Sequence, residues 1–396
     1  MYSQQKVQNT NKIFNQCLLQ AKKILLEHEL CHHCLGRLFA KKLKLSSHQN
    51  IGKKIKSSLH YKSTKHCYIC KGILSNIDTI VDRLLEKSLH YEFSTFVIGA
   101  ILRPSITDRD DTIRSKFKLQ GIDSVKTAIT QQLTKKFSKK TKTNVDYLYP
   151  DLTFTFNFKT DSCELQARSL FLSGRYIKKV RGLPQKQISC QNCRGKGCRE
   201  CNYHGISEFS SIEGRISQFL FQKFQGTITK ITWLGGEDKN SLVLGNGRPF
   251  FIQLLNPKKR KTRLKKNFID KDIEIHNLKA ISKIPKAPLN FRSTIKLSIL
   301  TEDKLNPKDL TSLKSLIKTP IIIHEKPNKR NQKLIYSIKF KKTSSTSFQF
   351  WIIADGGLPI KRFVEGNNIE PSITKLIGHK CKCKEFDFLK IDLINV

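Results

Sequence analysis

The chain is 396 residues long and carries 73 Lys and Arg against 32 Asp and Glu, a formal net charge of +41. A surplus of that size calls for a polyanionic partner, and nucleic acid fits because each neutralised phosphate releases counterions; a salt adaptation of the source organism is the plainer alternative. With 38% hydrophobic residues the chain can bury real cores, which argues against wholesale disorder, and its length suits two or three domains. No apolar run approaches the ~18 residues of a membrane helix, and the N-terminal MYSQQKVQNTNK lacks the apolar centre of a signal peptide. The expected compartment is therefore the cytosol, where regularly spaced cysteines serve as metal ligands more often than as disulfides.

Residues 11–30 place Ile13, Phe14, Leu18, Leu19, Ile24 and Leu25 on one stripe at helical spacing. This helix runs into Cys31-His32-His33-Cys34, and a second basic helical stretch, 47–60, precedes Cys67-Tyr68-Ile69-Cys70. From about 76 to 185 the pattern is mixed: 75–88 and 122–137 read as helices. Residues 151–158 (DLTFTFNF) alternate as a half-buried strand, and 163–172 read as the next one. A loop rich in Gly, Arg and Asn spans 190–201. The remainder, 207–396, is β-rich, with strands expected at 225–233, 241–255, 291–300, 332–342 and 347–354. Within it, NPKKRKTRLKK (256–266) is a concentrated basic run, and 303–331 carries three Pro and many Lys.

Four CxxC units stand out: Cys31/Cys34, Cys67/Cys70, Cys190/Cys193 and Cys198/Cys201. One such turn aims two thiolates at a shared point, and two turns complete a tetrahedral zinc site. The last two pairs, in CQNCRGKGCREC, form a compact knuckle whose Gly195 and Gly197 let the backbone bend tightly. Four thiolates leave no open coordination position, so both zincs would be structural rather than catalytic. Reduced thiols in loops are the plainer alternative. Cys17 and Cys163 fall in apolar patterns and read as small core residues, while Cys381 and Cys383 stay unassigned. His32 and His33 could substitute as ligands, but are expected to face solvent.

The string Gly235-Gly236-Glu237-Asp238, followed by Leu244-Gly245-Asn246-Gly247-Arg248-Pro249-Phe250, resembles the catalytic segment GREDxDxRxLGxGRPF of the THUMP-containing tRNA pseudouridine synthases of archaea and eukaryotes. CHHCLGRLFA (31–40), VRGLPQ (180–185), CRGKGCRECNYHG (193–205) and GGLPIKRFVEGNNIEPSITKLIG (356–378) are similar to further blocks of that family in the same order. The resemblance implies an isomerase acting on uridines 54 and 55 of the tRNA T loop, with no catalytic metal or cofactor. Its nucleophile would be Asp238, attacking a base drawn out of its stack. Lys361 matches the cation that pairs with that aspartate and keeps it ionised. Phe291 matches a tyrosine that stacks on the target base, and keeps the stacking face. Arg248 matches the arginine of the GRPF block, suited to a phosphate contact or to a structural hydrogen bond. Glu237 is the rival carboxylate, one position ahead of the motif's nucleophile.

The pattern also departs from the family. Gly236 and Leu242 stand where the family has Arg, and Asn240 replaces an Asp. Pro359 replaces a second substrate-contacting Tyr, and the family's GDxGRT loop is reduced to Gly366-Asn367-Asn368-Ile369-Glu370. A divergent working enzyme is the expectation; a catalytically degenerate tRNA-binding protein or chaperone is the alternative. The expected fold is α+β: an N-terminal zinc-bearing helical region (1–75), a THUMP RNA-binding domain (76–185), the cysteine knuckle (186–206) and a catalytic domain with a largely antiparallel sheet (207–396). The basic helix with Lys53, Lys54 and Lys56 would track phosphates. Lys258, Lys259, Arg260, Lys261, Arg263, Lys265 and Lys266 would grip the tRNA backbone near the catalytic cleft, and Arg194, Lys196 and Arg199 would add to that surface.

Overall fold

A computed structural model describes residues 2–62, 66–261, 268–286, 289–326 and 329–394. The chain forms two compact units, Met1–Arg168 and Ser169–Val396.

The first unit runs α1 (Tyr2–Glu27), α2 (His32–Leu43), α3 (His48–Ser58), α4 (Ile77–Ser88), β1 (Thr95–Ile101), α5 (Pro104–Lys116), α6 (Val125–Thr141), β2 (Asn144–Val145), β3 (Leu152–Asn157) and β4 (Ser162–Ala167). Side chains start the helices where the first amides lack partners: Cys31 caps α2, Ser47 caps α3 and Ser124 caps α6. Helices α2 and α3 cross at two glycines. A methyl group on Gly36 would stand 1.8 Å from the His48 carbonyl oxygen, and one on Gly52 1.9 Å from that of His32. The four strands form one sheet in the order β2-β1-β3-β4, with β1 parallel to both its neighbours. Phe137 of α6 meets Phe96 and Phe154 of that sheet edge-on, at 4.8 and 5.1 Å between ring centroids.

This unit has one core, shared by Ile24, Leu35 and Ile51 of the first helices and by Phe96, Phe137 and Phe154. The helical region and the α/β module, expected as separate domains, are thus joined by their packing. Arg37 of α2 adds a buried ion pair to Asp110 of α5, which also accepts from the Val125 amide that opens α6 (3.0 Å). His32 and His33, expected to face solvent, are half-buried at the start of α2.

The second unit runs β5 (Leu170–Lys178), α7 (Ile212–Phe224), β6 (Thr229–Trp233), β7 (Val243–Leu254), β8 (Phe268–Ile269), β9 (Ile273–Ala280), β10 (Phe291–Thr301), α8 (Pro307–Ser312), β11 (Ile321–Lys326), β12 (Lys329–Lys333), β13 (Ile335–Ser344), β14 (Ser347–Asp355), α9 (Ile360–Glu365), β15 (Ile369–Glu370), α10 (Ile373–Ile377) and β16 (Cys381–Leu393). Nine of these strands build one sheet in the order β13-β14-β10-β16-β7-β5-β9-β8, with β6 also paired to β7. Its pairings are antiparallel except for β16 beside β7.

Two expectations are corrected here. The strand expected at 163–172 is two strands broken at 168–169, because β4 pairs with β3 while β5 pairs with β7 and β9. The boundary expected after 185 therefore moves to 168/169. The unassigned Cys381 and Cys383 belong to β16, a strand not foreseen, where they alternate inward with Phe386, Phe388 and Ile391. Burial pushes both thiols up, to about 11 and about 12. Among the described residues no helix is long and apolar enough to cross a membrane.

Candidate active site and metal centres

The loop 234–242 joins β6 to β7 and carries Asp238. Lys361, the second residue of α9, donates to Asp238 Oδ2 at 2.6 Å, although 123 residues separate the two in the chain. The Asn240 amide donates to Oδ1 at 2.9 Å. Burial pushes the Asp238 carboxyl up; the Lys361 hydrogen bond, the Asn240 amide and the charges of Lys361 and Lys178 outweigh it, so the group is held below its ordinary range. The Asp238 hydrogen bond in turn raises Lys361. The carboxylate is 25% exposed, so a ligand can reach it.

Almost every turn of the loop backbone is tied to something. Arg248 donates to the Leu234 carbonyl (2.6 Å) and Gln185 to that of Gly235 (3.4 Å). Lys178 of β5 donates to the carbonyls of Asp238 (3.3 Å) and Lys239 (2.9 Å). The Gly182 amide also reaches the Lys239 carbonyl (2.8 Å), and Arg181 that of Asn240 (2.5 Å). Arg181 grips Asp387 of β16 with two bonds of 2.8 Å, and Asp387 accepts from the Leu242 amide. The VRGLPQ block is thus a clamp on the Asp238 loop.

Glu237 points the other way. Its side chain is fully buried, accepts from Tyr176 Oη at 2.7 Å and pairs with Lys178 and Arg248, each at 3.4 Å. No base can reach it, which removes the rival carboxylate. Arg248 is only 1% exposed, with its guanidinium 4.3 Å from the centre of the Phe388 ring. The phosphate contact suggested for it is corrected: the side chain is internal and holds the loop from below.

Phe291 opens β10 beside this loop. A methyl group on Gly356 would stand 2.4 Å from its ring and one on Gly235 2.9 Å, so the ring lies between two bare backbone segments. It is half-buried, leaving part of the ring exposed. Pro359 caps α9, and its carbonyl accepts from the Phe363 amide at 2.9 Å. The proline starts the helix that carries Lys361 and supplies no aromatic wall.

The four thiols of Cys31, Cys34, Cys67 and Cys70 lie within 4.8 Å of one another, as do those of Cys190, Cys193, Cys198 and Cys201. A zinc–sulfur bond of about 2.3 Å sets a tetrahedral edge near 3.8 Å. The Cys31–Cys70 and Cys193–Cys201 separations are 3.8 Å, and Cys190–Cys198 is 4.0 Å. In the second set the amides of Gly197, Cys198 and Gly205 point at ligand sulfurs at 3.2 Å, the arrangement that stabilises thiolate. Both sets can hold a structural metal ion.

A family model described as Pus10, C-terminal, matches residues 171–392, and one described as Pus10 THUMP domain, archaeal, matches 80–157. The chain is 50% identical over 373 residues to the tRNA pseudouridine synthase Pus10 of Nitrosopumilus maritimus, with 94% of this chain and 97% of that one covered. The chain belongs to the Pus10 family. Relatives of the same name in Cenarchaeum symbiosum and Methanocaldococcus jannaschii are 33% and 30% identical. They cover 91% and 93% of this chain, and 89% and 93% of their own length is matched. As a Pus10 member the chain is an isomerase with a THUMP domain, and the C-terminal match starts within β5, where the second unit begins.

One expectation about this Pus10 chain fails. The run from Lys258 was expected beside the cleft, but the amides of Lys258 and Lys259 bond to the Phe224 carbonyl at the end of α7, beyond Leu254. Leu254 pairs with Leu170, whereas Lys178 under Asp238 pairs with Val243. Eight strand residues at ~3.3 Å each put the two levels roughly 26 Å apart. Arg263, Lys265 and Lys266 lie outside the described residues. Conversely, Lys178, Arg181, Gln185 and Asp387 were not singled out. Lys178 had a signal: it follows Leu172 and Tyr176 at inward positions of an alternating strand, where a lysine needs a partner.

Proposed function

We propose that this chain isomerises uridine 54, uridine 55 or both in the T loop of tRNA, with Asp238 as the covalent nucleophile. The observation that carries this reading is the Lys361–Asp238 contact of 2.6 Å, which joins two family blocks distant in sequence. The flipped uridine enters beside Phe291, and the exposed part of that half-buried ring contacts the base. The Asp238 carboxylate attacks C1′ and the N-glycosidic bond breaks; the detached uracil turns, and its C5 bonds to C1′ as the carboxylate leaves it. The proton leaving C5 passes to N1, so the reaction balances without oxidant or cofactor. Lys361 keeps the carboxylate ionised and aimed. The two cysteine sets hold structural zinc, and the tRNA backbone is gripped by the basic surface, including Lys258 and Lys259 well away from the reacting base.

Pseudouridine mapping by carbodiimide labelling and primer extension on an unmodified tRNA transcript tests the assignment. Modification at 54 or 55 that vanishes in Asp238→Asn supports it. Tight tRNA binding with no modification by the parent protein would instead favour a degenerate tRNA-binding relative, with Gly236 and Pro359 as the departures to restore first.

A further inference from the structure

Below the Asp238 loop lies a pair of opposite charges with no exposed surface: Lys178 of β5 and Glu237, both side chains 0% exposed, 3.4 Å apart. Burying an ion pair is a poor route to stability, since well-packed apolar residues of similar volume do as well or better. Its presence therefore asks what these charges do that an apolar pair could not. A lysine ammonium has three hydrogens and no acceptor. Here it faces three acceptors, Glu237 and the carbonyls of Asp238 and Lys239. Two of the three are the carbonyls of the nucleophile itself and of the residue that follows it. Glu237, the residue before the nucleophile, is itself held by Tyr176 and Arg248. The backbone on both sides of Asp238 is thus fixed from one buried point on a central strand.

We infer that Lys178 and Glu237 are positioning residues for the uridine isomerisation: Lys178, oriented by Glu237, holds the Asp238 backbone so that its carboxylate meets the sugar at attack distance. The inference rests on the reading of Asp238 as nucleophile. Neither residue touches substrate. Lys178 also places a positive charge behind the carboxylate, one of the influences that keep Asp238 ionised.

The test compares four full-length proteins: the parent, Lys178→Met, the double variant Lys178→Met/Glu237→Gln, and Asp238→Asn. Each is measured for thermal stability, tRNA affinity and single-turnover pseudouridine formation at saturating protein. The single variant leaves Glu237 paired with Arg248, and the Asp238 and Lys239 carbonyls still bonded to Ser241 and Gly182, so it is expected to melt close to the parent and to bind tRNA with unchanged affinity. The double variant also takes the carboxylate from buried Arg248 and is expected to lose stability, which separates the cost of an unpaired charge from the loss of Lys178. The single-turnover rate of Lys178→Met is expected to fall roughly 100-fold, the size of effect that a 1 Å misplacement of a reacting group produces. A Lys178→Met protein, or a folded double variant, with a rate within threefold of the parent would overturn the inference, leaving the pair a packing feature. Asp238→Asn reads the underlying assumption separately: if it stays active, the nucleophile is misassigned whatever Lys178 does.

Discussion

The site balances burial against partnership at one carboxylate. Asp238 is partly desolvated, which alone would favour its protonated form, and Lys361 with the Asn240 amide reverses that. A nucleophile held ionised in this way keeps working to lower pH than an ordinary aspartate would. Lys361→Met removes both the hydrogen bond and the charge while burial remains, so the Asp238 pKa rises. The acid limb of the pH–rate profile should then move to higher pH, along with a fall in rate; an unmoved limb would mean that Lys361 does not set the ionisation. Phe291 offers a second check. Aromatic stacking on a base is worth ~1–3 kcal/mol, so Phe291→Ala should slow single turnover by about tenfold or more. Phe291→Tyr, which keeps the ring between Gly235 and Gly356, should stay near the parent rate.

At the scale of elements, the motif-bearing pieces were legible because their chemistry is local. A CxxC turn needs no distant partner to be read, and the expected helices at 47–60, 75–88 and 122–137 overlap α3, α4 and α6 closely. Asp238 and Lys361 were reachable through family blocks, yet nothing in the spacing of those blocks says that they meet. What stayed hidden depends on pairing. β16 reads CKCKEFDFLKIDL, an alternation interrupted by two register shifts against β10, and these with its lysines disguise a strand at the centre of the sheet between β10 and β7. β5 was divided wrongly because only its ladders to β7 and β9 reveal which unit it joins. The crossing of α2 and α3 likewise needs three dimensions: Gly52→Ala would drive a methyl group into the His32 carbonyl. Overpacking of that kind costs about 1–3 kcal/mol, visible as a lowered melting temperature. The cysteine sets make a separate prediction. Elemental analysis should give two zinc ions per chain, and Cys67→Ser should lose one of them and destabilise the first unit, whose core its ligands join.

For the molecule as a whole, charge governs how tRNA is met. The net +41 predicts an affinity that falls steeply and linearly on a log–log plot against salt, each phosphate contact adding roughly 0.7–0.9 to the slope. Replacing Lys258, Lys259 and Arg260 with Ala should weaken binding and flatten that slope while leaving the saturated single-turnover rate intact, because these residues stand far along β7 from Asp238. A drop in the saturated rate would place them in the chemistry after all. The knuckle between β5 and α7 has a different bearing. Ser189 bridges Ile206 across its base, and the Cys190 amide donates to the Gly205 carbonyl at 3.0 Å. The chain enters and leaves through the same doorway, and His204 just inside it stacks on Phe221 of α7 with ring centroids 4.0 Å apart, so the knuckle is moored at two points. A side branch moored in this way carries its own metal-binding set without lending a strand to the sheet.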